Sequence, residues 1–572
     1  MSTGEELIAL VVAPGTGVPP GSGGLAALVA DEWAQTGPAA EILARAGRLE
    51  ADRHPRWVWW AASTDAPGLV RARTRPRRCW DLAEVHRLLH GGWEAGPAVV
   101  WAEAHGIPTA PPPPPSEDLF AFAGEEPRLA DDVLVRPDGH LRPDAVTGAW
   151  LTTPERLVAW GRAALVVAER QRAELSGEGP RALATAHAES AAAVLCVELE
   201  RDGLPIDRAR AEQLIAASAG PRPATEEEAA AARRERDRLV LRHVPCREST
   251  DLRNPAQVRE LLAAVGVDVP TTRKWVLDPY RDTHPVVDAL LRWRKAERVS
   301  STYGYRWLDT AVGPDDRLRG RWTACDGAGG RMTAENGLHN LPVDLRPAVA
   351  AAPGWAFVRA DLGQVEPRVL AVVSGDAAFA EATRADDLYA PVASRLGVER
   401  PVAKVAVLAA MYGQRSGAAG EALEGLERAY PVAMAHLDRA YAAGVRGADL
   451  RTFGGRLIRT GRFLADRPLG SDPALDAARG RFARNAIIQG AAAELFKAWV
   501  ATVRAGTAAL GAEIVLCLHD ELLLHVPEEH AAEAAEQVDR SLGAAAHWWS
   551  GGAPVRFVSD TSVIHRWSEA KE

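Results

Sequence analysis

The chain has 572 residues, of which 47% are hydrophobic and 25% charged, with a formal net charge of −9. These values are typical of a folded protein with several domain-sized units, and the acidic balance argues mildly against nucleic-acid binding, although a basic groove can coexist with an acidic outer surface. Five cysteines without a CxxC pair exclude a cysteine-rich zinc site and indicate no disulfide framework. The N-terminus is not a secretory signal, and no apolar stretch approaches the roughly 20 residues of a membrane span, so we expect a cytoplasmic protein with no membrane partner.

The first 110 residues alternate short apolar runs with amphipathic helical stretches, which predicts a small α/β unit. The apolar runs, which would be strands in such a unit, are Leu7–Ala13, Trp57–Ala62 and Ala98–Ala102. A proline-rich piece, Pro108–Pro115, is expected to be an extended connector. Helical patterns follow over Pro154–Glu174 and Ala186–Arg201. Residues 207–300 are predicted to be largely helical and arginine-rich, and strands and helices alternate from there to the end.

The segment Trp355–Arg368 (WAFVRADLGQVEPR) predicts a strand, a turn and the start of a helix. An apolar run ends at Asp361, Gly363 permits a turn, and a helix that begins near Gln364 carries Glu366. An aspartate at the carboxyl end of a central strand faces the crevice in which α/β sheets bind ligands. An aspartate that only caps the helix or the turn is the alternative for this segment alone.

The segment Arg400–Gly413 (RPVAKVAVLAAMYG) predicts a helix with Pro401 at its first position. Residues four apart share one face of this helix: Arg400, Lys404, Leu408 and Tyr412. Two cations near a helix N-terminus oppose the helix dipole, an arrangement that makes sense if both the dipole and the cations address a polyanion such as a triphosphate. A solvated basic face is the alternative, although lysine is scarce in this sequence.

Near the end of the chain, the apolar run Ile514–Val526 is interrupted by His519, Asp520 and Glu521. The apolar flanks predict two buried strands joined by a tight turn. Two carboxylates at the tip of a buried hairpin cost solvation free energy unless a cation compensates them, and a divalent metal is the usual cation. Ordinary turn chemistry is the alternative for the aspartate. With Asp361 as a second carboxylate, the three segments together describe two-metal phosphoryl transfer.

In this order, the three segments resemble motifs A, B and C of family A DNA polymerases, the DNA polymerase I-like group: DLGQVEPR, R-x3-K-x7-YG and LHDE. Other segments resemble the same family, namely Gly330-Arg331 followed by LHNLP (Leu338–Pro342), Arg481-x3-Asn485-x3-Gln489-Gly490, ERDGLPID (Glu200–Asp207) and STYG (Ser301–Gly304). The resemblance covers about residues 186–572.

The resemblance implies template-directed DNA synthesis, in which nucleotides from dNTPs extend a primer 3′-hydroxyl and pyrophosphate is released. It implies two Mg²⁺ ions, with Mn²⁺ as a substitute, held by Asp361, Asp520 and the backbone carbonyl of Leu362. Glu521 would be an auxiliary carboxylate. Lys404 would be a catalytic residue that neutralises phosphates, with protonation of the leaving group as a further hypothesis. The implied dNTP-binding residues are Arg400, Lys404, Leu408, Tyr412, Glu366 and Gln364.

The same resemblance assigns roles along the DNA. Glu366 would close the sugar pocket against a 2′-hydroxyl, and Tyr412 would offer a stacking face where the templating base enters. Four residues would probe minor-groove acceptors common to all base pairs: Arg331, Asn485, Gln489 and His519. Asn340 and Arg481 are further DNA-binding candidates. The expected partners are primer–template DNA and dNTPs, and a monomer is expected.

The sequence departs from the family pattern at several positions. Leu408 lies where the family typically has Phe or Tyr against the incoming sugar. The motif therefore predicts the positioning of the sugar and the discrimination between sugars less well in this sequence. His339 replaces a glutamine, and the segment from Gly330 to LHNLP is one residue short. Pro367 replaces an apolar residue, which the first turn of a helix tolerates.

The implied fold class is α/β and α+β multidomain: a right-hand palm, fingers and thumb polymerase with an N-terminal α/β exonuclease-like (RNase H-like) domain. The expected domains are an exonuclease-like domain (1–185), a thumb (186–300), a first palm part with motif A (301–385), fingers with motif B (386–475) and a second palm part with motif C (476–572). Thumb cations expected to grip backbone phosphates are Arg292, Arg294, Lys295 and Arg298.

We expect no 3′–5′ exonuclease activity. That chemistry needs clustered carboxylates, but no Asp-x-Glu occurs in residues 1–180. In Leu157–Glu169, where a Tyr-x3-Asp would fall, the only carboxylate is at the end. The 5′ nuclease domain of longer family members is also not expected.

Three other classes remain open at this stage. A single-subunit RNA polymerase shares the palm and both metal aspartates, but Glu366 and the Tyr412-Gly413 ending favour the DNA enzyme. A catalytically impaired DNA-binding relic is disfavoured because Asp361, Lys404 and Asp520 are all present. A metal-dependent nuclease is disfavoured by the missing N-terminal carboxylates.

Overall fold

The structure is a computed structural model, and it describes residues 5–14, 24–109, 132–413, 419–463, 469–470 and 472–570. Most of the predicted connector Pro108–Pro115 lies outside these residues. The described strands are β1 (Leu7–Val12), β2 (Leu25–Val29), β3 (Ala34–Pro38), β4 (Arg56–Trp59), β5 (Arg78–Asp81), β6 (Leu204–Pro205), β7 (Arg317–Leu318), β8 (Trp322–Asp326), β9 (Arg331–Ala334), β10 (Trp355–Leu362), β11 (Leu450–Arg451), β12 (Leu457–Ile458), β13 (Glu513–Leu518), β14 (Glu521–Pro527) and β15 (Ser559–Ile564).

The described α-helices are α1 (Ala39–Arg53), α2 (Ala62–Asp65), α3 (Pro67–Arg71), α4 (Leu82–His90), α5 (Pro97–His105), α6 (Pro143–Val146), α7 (Pro154–Glu178), α8 (Pro180–Asp202), α9 (Arg208–Ala219), α10 (Glu226–Leu241), α11 (Pro255–Ala263), α12 (Lys274–Leu277), α13 (Pro285–Thr302), α14 (Tyr305–Ala311), α15 (Val365–Ser374), α16 (Ala377–Ala382), α17 (Tyr389–Leu396), α18 (Arg400–Tyr412), α19 (Ala419–Ala429), α20 (Pro431–Val445), α21 (Pro473–Gly506) and α22 (Ala531–Ser550).

The chain divides into two compact units. The first unit comprises residues 1–202, 321–333 and 358–563, and the second comprises residues 203–320, 334–357 and 564–572. Because both units are built from separated stretches of chain, neither corresponds to one continuous predicted domain. The boundaries given above for thumb, palm and fingers therefore remain predictions.

The first unit begins with a five-stranded mixed sheet in the order β3-β2-β1-β4-β5. Strand β1 pairs antiparallel with β2 and parallel with β4, and β4 pairs parallel with β5. The predicted α/β unit is confirmed, including strands in the runs Leu7–Ala13 and Trp57–Ala62. The third run, Ala98–Ala102, was wrongly expected to be a strand. It lies in helix α5, where Pro97 occupies the first turn and Gly106 ends the helix in a left-handed conformation.

The predicted helices over Pro154–Glu174 and Ala186–Arg201 are confirmed as α7 and α8, both somewhat longer than the sequence pattern. Helix α7 packs on β1 and β2, and α8 packs on α7, β5 and α21. Their buried side chains form one hydrophobic core with the inner face of the sheet. This arrangement follows from the wide apolar faces of both helices.

The expectation that no apolar stretch approaches a membrane span needs correction. Within the described residues, α8 and α21 are long and apolar enough to cross a membrane by length and composition. In each helix, 78% of the most apolar window is buried inside the protein. Core helices pass the same test, and both helices carry buried charged residues such as Glu189 and Lys497.

A buried ionic cluster joins α8 to α21 and to the turn after β11. Lys497 on α21 and Arg456 both contact Glu189 on α8, at 2.5 Å and 2.7 Å. Arg456 also donates to the Cys325 Sγ at 3.1 Å. Because each buried charge has an opposite charge beside it, the cluster avoids the large cost of an isolated buried ion.

The second unit contains the helical region predicted over residues 207–300, which is confirmed as α9 to α13 with short connecting segments. Its core consists of aliphatic side chains from α10, α11 and α13, together with Trp293. Arg253 pairs with Asp237 and Glu297 and thereby links three parts of this region. The four cations predicted to grip DNA all have acceptors within this unit, namely Asp288 for Arg292, Thr272 for Arg294, Asp344 for Lys295 and Asn340 for Arg298.

The second large sheet has the order β13-β14-β10-β15. Strands β13, β14 and the middle of β10 are almost completely buried. This confirms the two apolar runs predicted as strands, and it places β10 next to the hairpin.

One prediction tests a tie within the first unit. Arg504 on α21 donates two hydrogen bonds to Glu198 on α8, at 2.7 Å and 2.6 Å, and one to the carbonyl of Pro76 at 2.8 Å. We expect Arg504→Ala to lower the free energy of unfolding by about 3 kcal/mol, because Glu198 would stay buried and lose two hydrogen bonds, with Arg75 left as a more distant counter-charge at 3.9 Å.

Denaturant unfolding measures this change. The matched control is Arg540→Ala on α22, whose exposed partner Glu536 lies one turn away. It should cost less than about 0.5 kcal/mol. Equal effects of the two substitutions would contradict the interpretation.

Candidate functional site

The predicted hairpin tip is confirmed in detail. Leu518 pairs with Glu521 across the antiparallel strands β13 and β14, so His519 and Asp520 form the two-residue turn. His519 has a φ of 46°, a left-handed conformation that such tight turns require. The turn leaves His519 exposed and Asp520 partly buried.

The two aspartates singled out in the sequence meet at this turn. The backbone N–H of Leu362 donates to the carbonyl oxygen of Asp520 at 2.9 Å, which joins the end of β10 to the hairpin tip. Burial, and then the charge of Asp520, raises the pKa of Asp361 to about 6. Burial raises the pKa of Asp520 as well. The shifts show two carboxylates whose negative charges are incompletely compensated.

A third carboxylate, Glu521, is buried and turned toward an arginine of β10. Arg359 donates to Glu521 Oε1 at 2.8 Å and to Asp361 Oδ2 at 2.9 Å. Burial alone would lower the pKa of Arg359, but the hydrogen bond and charge of Glu521 and the charge of Asp361 raise it. Arg359 is therefore a permanent cation among the carboxylates.

Glu366 lies in the first turn of α15 and is held from two sides. Arg331 on β9 donates to Glu366 Oε1 at 2.7 Å, and the Tyr412 hydroxyl donates to Oε2 at 3.5 Å. Burial raises the pKa of Glu366, and the charge of Arg331 opposes that rise. Gln489 on α21 hydrogen-bonds the Tyr412 hydroxyl. Residues predicted to bind the nucleotide (Glu366 and Tyr412) and residues predicted to contact the minor groove (Arg331 and Gln489) thus contact one another.

Gln364 connects the start of α15 to the start of α18 through Asp387. It has a left-handed φ of 54°, and its side chain donates to Asp387 Oδ1 at 3.1 Å. Arg400 Nε donates to Asp387 Oδ2 at 2.5 Å. This hydrogen bond, and then the charge of Asp387, raises the pKa of Arg400.

The predicted face of α18 is present. Arg400 and Lys404 are exposed, Tyr412 is 38% exposed, and Leu408 is partly buried against the hydrophobic core. The helix begins at Arg400, so Pro401 occupies the second position rather than the first. Pro401 still fits there, because the first-turn N–H groups have no partner within a helix.

The remaining predicted residues lie on α21 and in the segment after β9. Arg481, Asn485 and Gln489 follow one another at four-residue spacing on α21, where Arg481 is exposed and the other two are partly buried. Asn340 belongs to the second unit, where its carbonyl accepts from Arg298 and from the Tyr303 hydroxyl. The DNA-contacting roles of all these residues remain predictions.

The donor set fits a divalent metal of the magnesium type. Mg²⁺ is usually held by one or two carboxylates and by substrate phosphates rather than by an all-protein cage. Among the described residues there is no group of three or more His, Cys, Asp or Glu side chains arranged to hold a metal. Asp361 and Asp520 together supply two carboxylates, and Glu521 is engaged by Arg359. The pKa values of both aspartates are raised without metal, and a bound dication would favour their ionised forms. The Leu362 carbonyl remains a predicted ligand.

The sequence analysis missed two residues of this site. Arg359 lies two positions before Asp361 on a strand, and such positions share a face, so the spacing alone could have indicated it. Asp387 lies in a segment with no motif of its own. Its role appears only when the fold brings it beside Gln364 and Arg400.

Comparison with known proteins agrees with the geometry. The family described as DNA polymerase family A matches residues 243–569, more than half of the chain. The chain belongs to DNA polymerase family A. The matched range includes β10, α18 and the β13–β14 hairpin, which carry the three segments that resembled the family's motifs.

Several relatives are similar in sequence. DNA polymerase I of Chloroflexus aurantiacus is 32% identical over 293 residues, covering 46% of this chain and 30% of that protein. The thermostable DNA polymerase I of Thermus thermophilus is 31% identical over 307 residues, covering 48% and 36%. The match therefore spans only about a third of the length of these relatives.

A solved structure shares the fold over nearly the whole chain. It is the POL domain of Pol1 from M. smegmatis in complex with DNA primer-template and dNTP. The TM-score is 0.68 at 20% identity, and the match covers 98% of this chain and 95% of that one. This confirms the mixed α/β polymerase fold.

The raised pKa of Asp361 predicts competition between protons and metal. Burial and Asp520 raise this pKa to about 6, so the metal-free folded state holds the proton more tightly than the unfolded state does. The corresponding stability is present at low pH and is lost as the pH rises through about 6. Metal binding requires the ionised form, so metal affinity should fall roughly tenfold per pH unit below about 6.

Mn²⁺ binding followed by electron paramagnetic resonance, without DNA or nucleotide, measures this effect. We expect the Mn²⁺ affinity to be constant at neutral and mildly basic pH and to fall at acidic pH. Asp361→Asn should bind weakly at every pH. An affinity for the unaltered protein that stays constant into the acid range would contradict the assignment of Asp361.

Proposed function

We propose that the chain is a DNA-directed DNA polymerase that adds deoxynucleoside monophosphates from dNTPs to a primer 3′-hydroxyl on a DNA template. The observation that carries this proposal is the meeting of Asp361 and Asp520, joined by the hydrogen bond from Leu362 to Asp520. Membership of family A and the shared fold with a polymerase domain support it. A single chain acting on primer–template DNA in the cytoplasm is part of the same proposal.

Asp361 and Asp520 would hold two Mg²⁺ ions, for which Mn²⁺ could substitute, with the Leu362 carbonyl as a third ligand. When bound, these ions lower the pKa of the primer hydroxyl and compensate the charge of the triphosphate and pyrophosphate. The chain's own residues bind and orient the reactants. Arg400 and Lys404 present two cations along one face of α18, at the helix end where the dipole also favours anions.

Asp387 would position Arg400 for the triphosphate, because it already fixes the guanidinium of Arg400 on one side. Lys404 is exposed on the same face one turn later and could supply a proton to the leaving pyrophosphate.

Glu366 favours deoxynucleotides in this proposal. Its carboxylate is fixed by Arg331 and Tyr412 and cannot move aside freely, so a 2′-hydroxyl in the sugar pocket would meet a rigid wall. This argues for a DNA polymerase over an RNA polymerase. Leu408, partly buried on the same helix face as Tyr412, would supply apolar contact with the sugar.

The N-terminal sheet is proposed to be an exonuclease-like domain without nuclease activity. Strands β1, β4 and β5 are parallel to one another, and β2 runs antiparallel to both of its neighbours, β1 and β3. Asp65 and Asp81 lie near the ends of β4 and β5, but burial raises the pKa of each to about 7. Asp81 accepts from the backbone N–H groups of Ala62 and Glu84 and caps α4. Both carboxylates are engaged in local structure.

Primer extension tests the metal site. With Mg²⁺, dNTPs and a primed template, Asp361→Ala or Asp520→Ala should reduce synthesis by at least about a hundredfold, because metal charge compensation is worth several kcal/mol. Asp52→Ala, at an exposed position of α1, is the control and should extend primers normally. Full synthesis by either site variant would refute the assignment.

Competition between ribo- and deoxynucleotides tests whether Glu366 excludes a 2′-hydroxyl from the sugar pocket. Glu366→Ala should lower the preference for deoxynucleotides by about 10- to 200-fold, since loss of one close contact in a pocket is worth about 1–3 kcal/mol. Tyr412→Phe removes only one of the two contacts that hold Glu366 and should have a smaller effect. A native enzyme that prefers ribonucleotides would instead support the RNA polymerase alternative.

Incubation of a labelled primer with metal and no nucleotides tests the N-terminal domain. We expect the primer to keep its length, because Asp81 caps α4 and Asp65 is buried and hydrogen-bonded to the backbone. Metal-dependent shortening that survives Asp361→Ala would contradict this expectation.

A further inference from the structure

Arg359 lies directly against the carboxylates of β10, the hairpin and β15, where it contacts Asp361, Glu521 and Asp560. Its side chain is only 9% exposed, although arginine is usually exposed. It precedes Asp361 by two positions on β10, so both side chains leave the same face of the sheet. The site therefore contains a fixed positive charge, although metal binding requires only negative or neutral ligands.

Each part of the guanidinium contacts a different carboxylate. Nε donates to Glu521 at 2.8 Å, one terminal nitrogen donates to Asp361 at 2.9 Å, and the other lies 3.5 Å from Asp560. The planar, forked shape of arginine makes this triple contact possible, and lysine could not reproduce it. The contacts hold three chain segments, β10, β14 and β15, at fixed distances.

The contact with Glu521 determines which carboxylates are available to a metal. Glu521 is buried and directed to Arg359, whereas Asp520 beside it lies at the turn and is partly exposed. Arg359 donates a hydrogen bond to the Oδ2 atom of Asp361. Glu521 is thus the inner carboxylate, directed to Arg359, whereas Asp361, which Arg359 contacts through Oδ2, and Asp520 at the turn lie at the proposed metal position.

We propose that Arg359 is a positioning residue that holds the carboxylates of the polymerase site together before metal binds and weakens the site's affinity for divalent metal. The inference rests on the proposed two-metal function. A resident cation lowers the repulsion among the carboxylates, so the site stays assembled without metal. The same charge repels an incoming dication, and Coulomb interactions over a few ångströms are large at the low effective dielectric of a partly buried site.

The test measures metal binding and stability in the absence of DNA and nucleotide, on the full chain. In Arg359→Gln the positive charge is lost, and Mn²⁺ affinity should rise about tenfold or more, since a unit charge at this range interacts strongly with a dication. Without metal, Arg359→Gln should melt at a lower temperature than the unaltered protein, and saturating Mn²⁺ should restore most of the difference. Arg359→Lys keeps the charge, so its Mn²⁺ affinity should stay near that of the unaltered protein.

The control is Arg504→Gln, which breaks another buried arginine–glutamate pair of the same unit. It should lose stability with no change in Mn²⁺ affinity and no selective rescue by Mn²⁺. If Arg359→Gln behaves in the same way, Arg359 is a structural arginine only and the proposal is wrong. Unchanged or weaker Mn²⁺ binding by Arg359→Gln also overturns it.

Two further outcomes remain decisive. If Arg359→Gln does not fold without metal, it is refolded from denaturant with and without Mn²⁺. Recovery only with Mn²⁺ supports the proposal, and recovery in neither condition overturns it. If Mn²⁺ binding by the unaltered protein does not depend on Asp361, the proposed function is wrong. If Mn²⁺ binding depends on Asp361 but is unaffected by Arg359→Gln, only the inference about Arg359 is wrong.

Discussion

The site depends on one backbone hydrogen bond, from the Leu362 N–H to the Asp520 carbonyl. It joins the end of β10 to the tip of the β13–β14 hairpin, two pieces of chain that are far apart in sequence. A one-residue shift of β10 would turn Asp361 to the other face of the sheet, and a shift of the hairpin register would move Asp520 out of the turn. Close packing on both faces of β13, β14 and β10 opposes such shifts, because the buried side chains would no longer fit their neighbours. The register of β10 and of the hairpin thus determines both the packing of the sheet and the positions of the two aspartates.

Electrostatics adds a second constraint. Several carboxylates lie at the sheet edge, and burial raises the pKa values of Asp361 and Asp520 rather than lowering them. Arg359 compensates part of this charge from within the sheet, and a divalent metal would compensate the rest. Nearby, Arg331 holds Glu366, and Asp387 holds Arg400. In the proposed function, the negative charge of the two aspartates serves the metals and the exposed positive charge of α18 serves the phosphates.

Much of this could be predicted from sequence because the signals are local. The apolar runs of β10 and of the hairpin, the four-residue spacing along α18 and the helical pattern of α7 and α8 all depend on neighbours in the chain. The prediction of a strand at Ala98–Ala102 was wrong because a short apolar run fits a strand or a helix equally well. The residues that favour a helix, Pro97 and Gly106, lie outside the run. Contacts such as Glu189 with Lys497, or Asp387 with Arg400, have no local signal. They arise only when the tertiary fold brings distant helices together.

The central claim is that Asp361 and Asp520 bind the same metals. A crystal structure of the protein grown with Mn²⁺ and a non-hydrolysable dNTP, with anomalous scattering measured at the manganese edge, tests it most directly. The account predicts anomalous density between the two aspartates and the nucleotide phosphates, with Glu521 still bound to Arg359. Density that contacts only one of the two aspartates, or lies elsewhere in the chain, would contradict it.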